Sequence, residues 1–255
     1  MIDTIAQNDC IGNVTSETDV NVWTENDLNE SLQIFEFSKP LIAKQEGTWR
    51  FFYNNCNGLE VNSMISTFIQ QKKDKTTYNY LKDTEAPTKL DSLLRQMKIW
   101  EVDIVSLAET CVAWEDHIPR RVIQNITQRY DNNGCWSVAS SKINVGSYVK
   151  PGGTGILSAG RSNGTIVDRG SDPWNMGRWS YARFTGKKES KSFLLITGYR
   201  PGKRNTNVGV KTAWAQQRIM MEKEGNPMQP HEAFFVDMSE WLTEYKTADM
   251  EVLLW

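Results

Sequence analysis

The spacing of apolar residues over the first half of the chain predicts two strands and two helices. Residues 48–54 are rich in aromatic side chains, which favours a β-strand. Residues 59–71 and 90–97 carry apolar side chains three or four positions apart, the pattern of a helix with one buried face. The short apolar run 103–107 predicts a strand buried between two layers.

The second half of the chain predicts a series of short strands and two more helices. Turns containing Gly, Asn and Pro separate strand candidates at 135–139, 153–158, 165–168, 178–184 and 192–198. Helical spacing follows at 208–223 and 231–246, and residues 250–255 have the pattern of a last strand. Strands on either side of helical stretches predict an α+β fold or a layered α/β sandwich.

Composition divides the chain at about residue 47. Residues 1–47 are polar, show weak periodicity, and carry nine acidic against two basic side chains. We therefore interpret residues 1–47 as an acidic leader or linker outside the core, and residues 48–255 as one domain. Within that domain, the polar and Lys-rich residues 72–88 are interpreted as an insertion between two helices.

Basic side chains are concentrated between residues 142 and 204, which hold twelve Lys and Arg against three Asp and Glu. In a chain of net charge −2, such a stretch indicates either a polyanionic partner such as nucleic acid or a solvated face. We expect no membrane span and no secretion, because the chain lacks both a long apolar run and an N-terminal signal pattern. The four cysteines are therefore predicted to be reduced thiols in an intracellular protein. With only two histidines, any metal is expected to have oxygen ligands.

Asn55 and Asn57 follow the first predicted strand, in the sequence Asn-Cys-Asn-Gly-Leu. In an extended chain their side chains point to the same side, and Gly58 allows the turn into the next helix. Amide oxygens bind hard cations and amide groups orient phosphates. Asn and Gly are also common in plain turns between a strand and a helix, so these residues alone leave both interpretations open.

Two further candidate positions follow predicted buried strands. Glu109 comes directly after the strand 103–107, where a carboxylate lies at the edge of the layers and ligand crevices form; a solvent-facing Glu is the alternative. Tyr199 and Arg200 follow the strand 192–198 and precede a Pro-Gly turn. Arg offers a planar fork of donors to phosphate, although ordinary loop packing explains the pair equally well.

Taken in order along the chain, these motifs are more specific than any one of them. Asn-x-Asn-Gly-Leu, Asp-Ile-Val-Ser-Leu-Ala-Glu-Thr, Gly-Gly-Thr-Gly-Ile-Leu, Gly-Arg-Trp and Tyr-x-Pro resemble the endonuclease/exonuclease/phosphatase superfamily. Within it, residues 48–255 resemble the endonuclease domains of non-LTR retrotransposons and their reverse-transcriptase relatives. The resemblance implies a deoxyribonuclease-I-like fold, a four-layer α/β/β/α sandwich that is partial here because it lacks the family's C-terminal strands.

The resemblance also implies a divalent-metal-dependent phosphodiesterase. Mg²⁺ or Mn²⁺ would be held mainly by Glu109, Asn55 would support metal and phosphate, and a base-activated water would attack in line. Asn57 would lie just outside the metal ligands, and Tyr199 and Arg200 belong to a motif on the substrate side. DNA is the implied partner, nicked to prime reverse transcription, with a reverse transcriptase fused in the full-length parent and access to the nucleus.

The chain departs from the family's pattern after Trp255. In relatives a strand such as 250–255 is followed by Gly-Asp-x-Asn, then by a further Asp and an Asp-His pair, and these motifs are absent here. His231 is no substitute for that histidine, because it precedes the last strand. We therefore expect a truncated domain that is weakly active or inactive. Two other functions stay open: a phosphatase of the same superfamily acting on inositol phosphates or lipids, and an inactive fragment or phosphate- or nucleic-acid-binding module.

Overall fold

Two β-sheets form the centre of the protein. The computed structural model describes residues 2–6, 44, 46–73, 88–185, 192–202 and 209–255. Its first sheet contains the strands β1 (Ile2–Ala6), β2 (Trp49–Asn55), β3 (Ile104–Ala108), β4 (Cys135–Ala139) and β5 (Thr154–Ser158). The spatial order is β1-β2-β3-β5-β4. Because β1, β2 and β3 are parallel, whereas β5 is antiparallel to both of its neighbours, β2 and β3 end at the same edge of the sheet.

The second sheet contains four strands, β6 (Ile166–Ser171), β7 (Trp179–Thr185), β8 (Ser192–Gly198) and β9 (Met250–Leu254), in that spatial order. β7 is antiparallel to β6 and β8, and β9 is parallel to β8. Trp255 extends this last pairing, since its N–H donates to the Ile196 oxygen at 3.0 Å and its oxygen accepts from the Gly198 N–H at 2.6 Å. The carboxyl ends of β8 and β9 therefore lie side by side.

Helices cover the outer faces of both sheets. They are α1 (Asn62–Lys73), α2 (Lys89–Ile99), α3 (His117–Tyr130), α4 (Ala213–Lys223) and α5 (Pro230–Tyr245), with short 3-10 helices at Gly160–Thr165 and Gly209–Lys211. Apolar side chains of α1, α2 and α3 pack on Phe52, Val105 and Leu157 of the first sheet. Those of α5 pack on Trp179 and Leu194 of the second sheet. Among the described residues, none of these helices is long and apolar enough to cross a membrane.

The space between the sheets is filled by aromatic and aliphatic side chains. The cluster there consists of Phe51, Ile104 and Ile156 from the first sheet, and Ala182, Phe184 and Leu195 from the second. Phe184 and Phe193 stack with ring centroids 4.8 Å apart, a favourable aromatic arrangement. With helices outside each sheet, the order of layers is helix, sheet, sheet, helix. The predicted α+β sandwich of four layers is therefore confirmed.

Helix α3 was not predicted from the sequence, which left residues 110–134 without an element. The helix begins at His117, and the carboxylate of the preceding Asp116 caps the first turn by accepting from the Ile118 N–H at 2.9 Å. Pro119 is accommodated because its missing N–H would have no partner in the first turn anyway. Val122, Ile123 and Ile126 then lie at helical spacing and are fully buried against the sheet. The capping residue and this spacing are the signals that could have predicted the helix.

Part of the predicted leader lies within the described residues. Residues 2–6 form β1, which pairs in parallel with β2 at the edge of the first sheet. Residues 7–43 lie outside the described residues, so the role of residues 1–47 stays a prediction. Residues 74–87, most of the predicted insertion, also lie outside them. His231 lies in the first turn of α5 and precedes β9, as expected.

Candidate active site

The ends of β2 and β3 bring two of the predicted motifs to one edge. Asn55 pairs with Ala108 in the register of these parallel strands, so Glu109 is the next residue after Asn55's neighbour. The loops that follow β2 and β3 stay hydrogen-bonded to each other beyond the strands, because the Gly58 N–H donates to the main-chain oxygen of Glu109 at 2.7 Å. Asn-x-Asn-Gly and Ala-Glu-Thr therefore form adjacent loops at a single sheet edge.

Tyr199 connects this edge to the second sheet. Its hydroxyl donates to Oε1 of Glu109 at 3.3 Å, across 90 positions of sequence. The tyrosine is held in place from its own sheet, since its N–H donates to the Arg178 oxygen at 2.7 Å. Both Glu109 and Tyr199 are half-buried. The carboxylate thus lies where the two sheets meet, with access to solvent.

Glu109 has a left-handed backbone conformation, with φ of 54°. Cys111 (φ 54°) and Asn57 (φ 42°) at the same edge share it. Such a conformation costs a non-glycine residue roughly 1–2 kcal/mol and persists only where the surrounding structure imposes it. It also interrupts the alternation of side chains along β3 and turns the Glu109 side chain toward Tyr199. Strained residues of this kind cluster at functional sites.

Gly152 allows the parts of the site to close together. A Cβ at this position would lie 2.8 Å from Cβ of Ala213, the first residue of α4, and 3.0 Å from Cε1 of Tyr199. Its φ of 79° is also unfavourable for other residues. The Gly152 oxygen accepts from the Cys111 N–H at 2.9 Å. The Gly-Gly motif at 152–153 therefore supports the loop that carries Glu109.

The two asparagines of the first motif differ in exposure. Asn55 is half-buried and Asn57 is exposed. The side-chain oxygen of Asn55 accepts from the Asn57 N–H at 3.3 Å, which closes a tight turn after β2. By strand alternation, Asn55 shares its face of the sheet with Phe51, which packs between the two sheets. Asn55 therefore faces the edge where the sheets meet.

Arg200 contacts helix α5 and has no described contact with Glu109. The side chain is exposed, and its guanidinium carbon lies 5.1 Å from the ring centroid of Phe235 on α5. Within the described part of the chain, Arg200 has no hydrogen bond or ion pair, so its N–H donors remain available. Phe235 was not identified from the sequence, where it resembles any apolar residue of a helix.

Two cysteines, Cys56 and Cys111, lie in the loops at this sheet edge. The Cys56 thiol, between the two asparagines, donates to the main-chain oxygen of Ala108 at 3.2 Å and lies 3.5 Å from the main-chain oxygen of Glu109. Burial, followed by the neighbouring Cys111, raises the pKa of the Cys56 thiol to about 12. Among the described residues, Cys56, Cys111 and Cys135 form no disulfide, whereas Cys10 lies outside those residues.

Within the described residues of the basic stretch 142–204, the cations do not all line one exposed groove. Lys150 is buried, where it pairs with Glu115 and donates to the Ser141 oxygen at 2.6 Å. Arg178 is fully buried between Asp172 and Asp237. These two cations form ion pairs with buried or neighbouring carboxylates, which the net charge alone does not predict. Others, such as Lys142, Arg161, Arg169 and Arg200, are exposed.

No cluster of three or more His, Cys, Asp or Glu side chains suited to a metal occurs among the residues that the structure describes. Glu109 instead supplies one carboxylate, and Asn55 an amide oxygen at the adjacent strand end. Mg²⁺ is commonly held by one or two carboxylates, with water and substrate phosphate completing its octahedral coordination. The donors present therefore fit a hard divalent cation with a small protein contribution.

No family model and no curated protein sequence matches the chain. Among solved structures, a humanized D. rerio TDP2 carrying 14 mutations is 14% identical, with 80% of this chain and 63% of that chain covered and a TM-score of 0.41. The human Nocturnin catalytic domain with bound sulfate is 11% identical, with 65% of this chain and 55% of that chain covered and a TM-score of 0.39. An AP endonuclease from Archaeoglobus fulgidus is 13% identical, with 62% of this chain and 48% of that chain covered and a TM-score of 0.36. The chain thus spans less than two thirds of each structure, and similarities at these TM-scores carry no argument about function.

Proposed function

We propose that residues 48–255 belong to a divalent-metal-dependent phosphodiesterase domain of the endonuclease/exonuclease/phosphatase type, with DNA as its substrate. The observation that carries the proposal is the hydrogen bond from Tyr199 to Glu109, 3.3 Å long and spanning two sheets. It joins two motifs that lie 90 residues apart, beside the strand end that carries Asn55. A carboxylate, an amide and a phenol at one accessible edge are groups that can hold a metal and orient a phosphate for phosphodiester hydrolysis.

In this proposal Glu109 holds Mg²⁺ or Mn²⁺. One of its oxygens accepts from Tyr199, while the second has no hydrogen-bond partner among the described residues and is available to a cation. A bound metal would stabilise the charge that develops on the phosphate oxygens and lower the pKa of a coordinated water. The hydroxyl of Tyr199 would hold the carboxylate in one orientation, which reduces the entropy lost when the metal binds.

Asn55 would contact the metal or the phosphate from the adjacent strand. The side-chain oxygen of Asn55 accepts from the Asn57 N–H and keeps a second lone pair, and its NH₂ group, which has no described partner, can donate to a phosphate oxygen. Asn57 itself is exposed at the rim of the site and would act on Asn55 through this turn. Arg200 would neutralise a phosphate beside the scissile one, because its donors are free in the described part of the chain.

The resemblance of the motifs supports DNA as the substrate and a retroelement endonuclease, fused to a reverse transcriptase in its parent, as the biological context. The contexts Asn-x-Asn-Gly and Tyr-x-Pro are more nuclease-like than phosphatase-like. Exposed cations within 142–204, among them Lys142, Arg161 and Arg169, are compatible with a polyanion. The residues that activate the attacking water in relatives are not among those assigned here, so slow cleavage is expected.

The first experiment is nicking of a supercoiled plasmid in Mg²⁺, compared with EDTA. The test variant is Glu109→Ala, and the control is Glu101→Ala. Glu101 is a matched control, since it is exposed and has nearly the same φ, 53°, but follows α2 rather than β3. We expect slow nicking that requires Mg²⁺, persists in the control and disappears in Glu109→Ala. Equal nicking by all three proteins would show that Glu109 has no part in it.

A second experiment separates the alternatives. The same protein is incubated with plasmid, an inositol polyphosphate and sphingomyelin vesicles in Mg²⁺, and nicked DNA, free phosphate and phosphocholine are measured. Glu109-dependent release of phosphate or phosphocholine without nicking would favour the phosphatase alternative. In parallel, plasmid binding is measured with and without Mg²⁺ by gel shift. Binding without any cleavage would favour a nucleic-acid-binding module, and absence of both would contradict the proposal.

A further inference from the structure

Phe235 is exposed although its neighbour is part of the core. Its side chain is 55% exposed, whereas Phe234 is only 5% exposed and packs with Trp179. The two rings meet edge to face, with centroids 5.4 Å apart. Phe234 also lies next to the end of β8, because a Cβ on Gly198 would be 3.0 Å from its ring. Phe235 therefore lies near the start of the loop that carries Tyr199, without contributing its ring to the core.

The exposed ring has one described contact of functional interest, with Arg200. The guanidinium carbon is 5.1 Å from the centroid of the Phe235 ring, within the range of a cation–π interaction. A flat guanidinium stacked on an aromatic face keeps the N–H groups on its edges free to donate. No residue in the described part of the chain occupies these donors. The arrangement therefore holds a cation in place without neutralising it.

Orientation matters because an exposed arginine otherwise samples many rotamers. Ordering such a side chain on binding costs affinity, and a contact that orders it beforehand reduces that cost. Tyr199, the residue before Arg200, contacts Glu109 at the sheet edge. Because Arg200 directly follows Tyr199 in the chain, a substrate strand held at Glu109 would present a neighbouring phosphate to Arg200. Bidentate donation to a phosphate needs the planar geometry that this stacking preserves.

We propose that Phe235 is a positioning residue, which holds Arg200 ready to bind a phosphate of the DNA substrate adjacent to the scissile one. This inference rests on the proposed function. Phe235 acts through Arg200 and makes no direct contribution to hydrolysis. Removing the ring should therefore weaken DNA binding only while Arg200 is present.

The test is the affinity for a fluorescein-labelled 20-base-pair DNA duplex, measured by fluorescence anisotropy in EDTA so that cleavage is prevented. Phe235→Leu keeps an apolar side chain and removes the π face, Phe235→Trp keeps the face, and Val236→Ala alters an exposed neighbour on α5. From the strength of an exposed cation–π contact, Phe235→Leu should raise Kd about 3-fold. Phe235→Trp and Val236→Ala should leave Kd within about 1.5-fold of the wild-type value, because neither removes that contact.

The decisive comparison is a double-mutant cycle. Arg200→Ala should raise Kd and reduce the slope of log Kd against log salt by about one contact. Arg200→Ala combined with Phe235→Leu should bind no more weakly than Arg200→Ala alone. Independent effects in the double variant, or an unchanged Kd in Phe235→Leu, would overturn the inference while leaving the proposed function intact. Failure of the wild-type chain to bind the duplex would instead remove the DNA substrate and the inference together.

Thermal unfolding of each variant separates a local from a global effect. Because the ring is mostly exposed, Phe235→Leu should have the wild-type Tm. If the Tm of Phe235→Leu falls, the Phe235→Trp protein separates the two explanations. Wild-type DNA affinity and wild-type Tm in Phe235→Trp would support the positioning role. Weakened DNA affinity at wild-type Tm in Phe235→Trp would contradict it.

Discussion

Replacing Glu109 by glycine separates its structural role from its proposed chemical one. The residue has φ of 54°, a conformation that glycine adopts without strain. If Glu109 served the fold alone, deleting its side chain would lower the stability of the protein. A strained functional residue instead should lose activity at little or no cost in stability, because the substitution relieves the strain.

The magnitude follows from three contributions. Relief of the left-handed conformation stabilises the folded state by about 1–2 kcal/mol. The greater freedom of glycine in the unfolded chain offsets about 0.4–1 kcal/mol of this. Loss of the hydrogen bond from Tyr199 removes about 0.5–1.5 kcal/mol. The free energy of unfolding of Glu109→Gly should therefore stay within about 1.5 kcal/mol of the wild-type value.

Glu101→Gly is the matched control, because Glu101 has φ of 53° and is exposed. Without a partner like Tyr199 to lose, it should gain between about 0 and 1.6 kcal/mol, and each kcal/mol corresponds to roughly 2–4 °C in Tm for a domain of this size. Stability is measured by urea denaturation, and nicking is measured on the same samples. Only Glu109→Gly should lose Mg²⁺-dependent nicking, by at least about 100-fold. Destabilisation of Glu109→Gly by more than about 2 kcal/mol would refute the reasoning and indicate a structural role.

Three further predictions concern residues around the site. Gly152→Ala should lower stability by about 1–3 kcal/mol and weaken metal-dependent nicking, because its methyl group would overlap Ala213 (Cβ 2.8 Å away); adding Ala213→Gly should recover part of the stability, as measured by urea denaturation. Arg178→Met should cost about 3–5 kcal/mol, because it leaves buried carboxylates without their cation, whereas the exposed Arg161→Met should change stability by less than about 0.5 kcal/mol. The pKa of Cys56 is raised from 9.0 to about 12 on folding, so its neutral thiol contributes stability that is complete below pH 9 and is lost as pH rises toward 12. Cys56→Ala should therefore flatten the decline of the unfolding free energy between pH 9 and 10.5, by no more than about 1.4 kcal/mol per pH unit; parallel curves for the two proteins would contradict this.

The layered fold was largely predictable because apolar periodicity records burial directly. The predicted strands at 135–139 and 192–198 have the bounds observed for β4 and β8. In contrast, α3 was not predicted, because its start is marked by Asp116 as the capping residue and by Pro119 in the first turn. These are weaker signals than a long apolar stripe. Local sequence reports such caps less clearly than it reports burial.

The sequence proposes residues for the site but not the geometry that joins them. Glu109 and Tyr199 were both identified from the strands that precede them, yet the hydrogen bond between them depends on how two sheets pack. The strained backbone at Glu109 also depends on the loops around it rather than on its own type. The internal pairing of Lys150 and Arg178 shows the same limit, because net charge cannot distinguish a buried cation from an exposed one.

The central claim is that the edge formed by Asn55, Glu109 and Tyr199 binds a divalent metal through Glu109. The most direct measurement is Mn²⁺ affinity, determined from the electron paramagnetic resonance signal of free Mn²⁺ as the protein is added. Glu109→Gln preserves shape while removing the charge, and Glu101→Gln makes the same change at an exposed residue of similar backbone conformation. We predict at least about 10-fold weaker binding for Glu109→Gln and an unchanged affinity for Glu101→Gln. Equal Mn²⁺ affinity in the wild-type protein and Glu109→Gln would contradict the account.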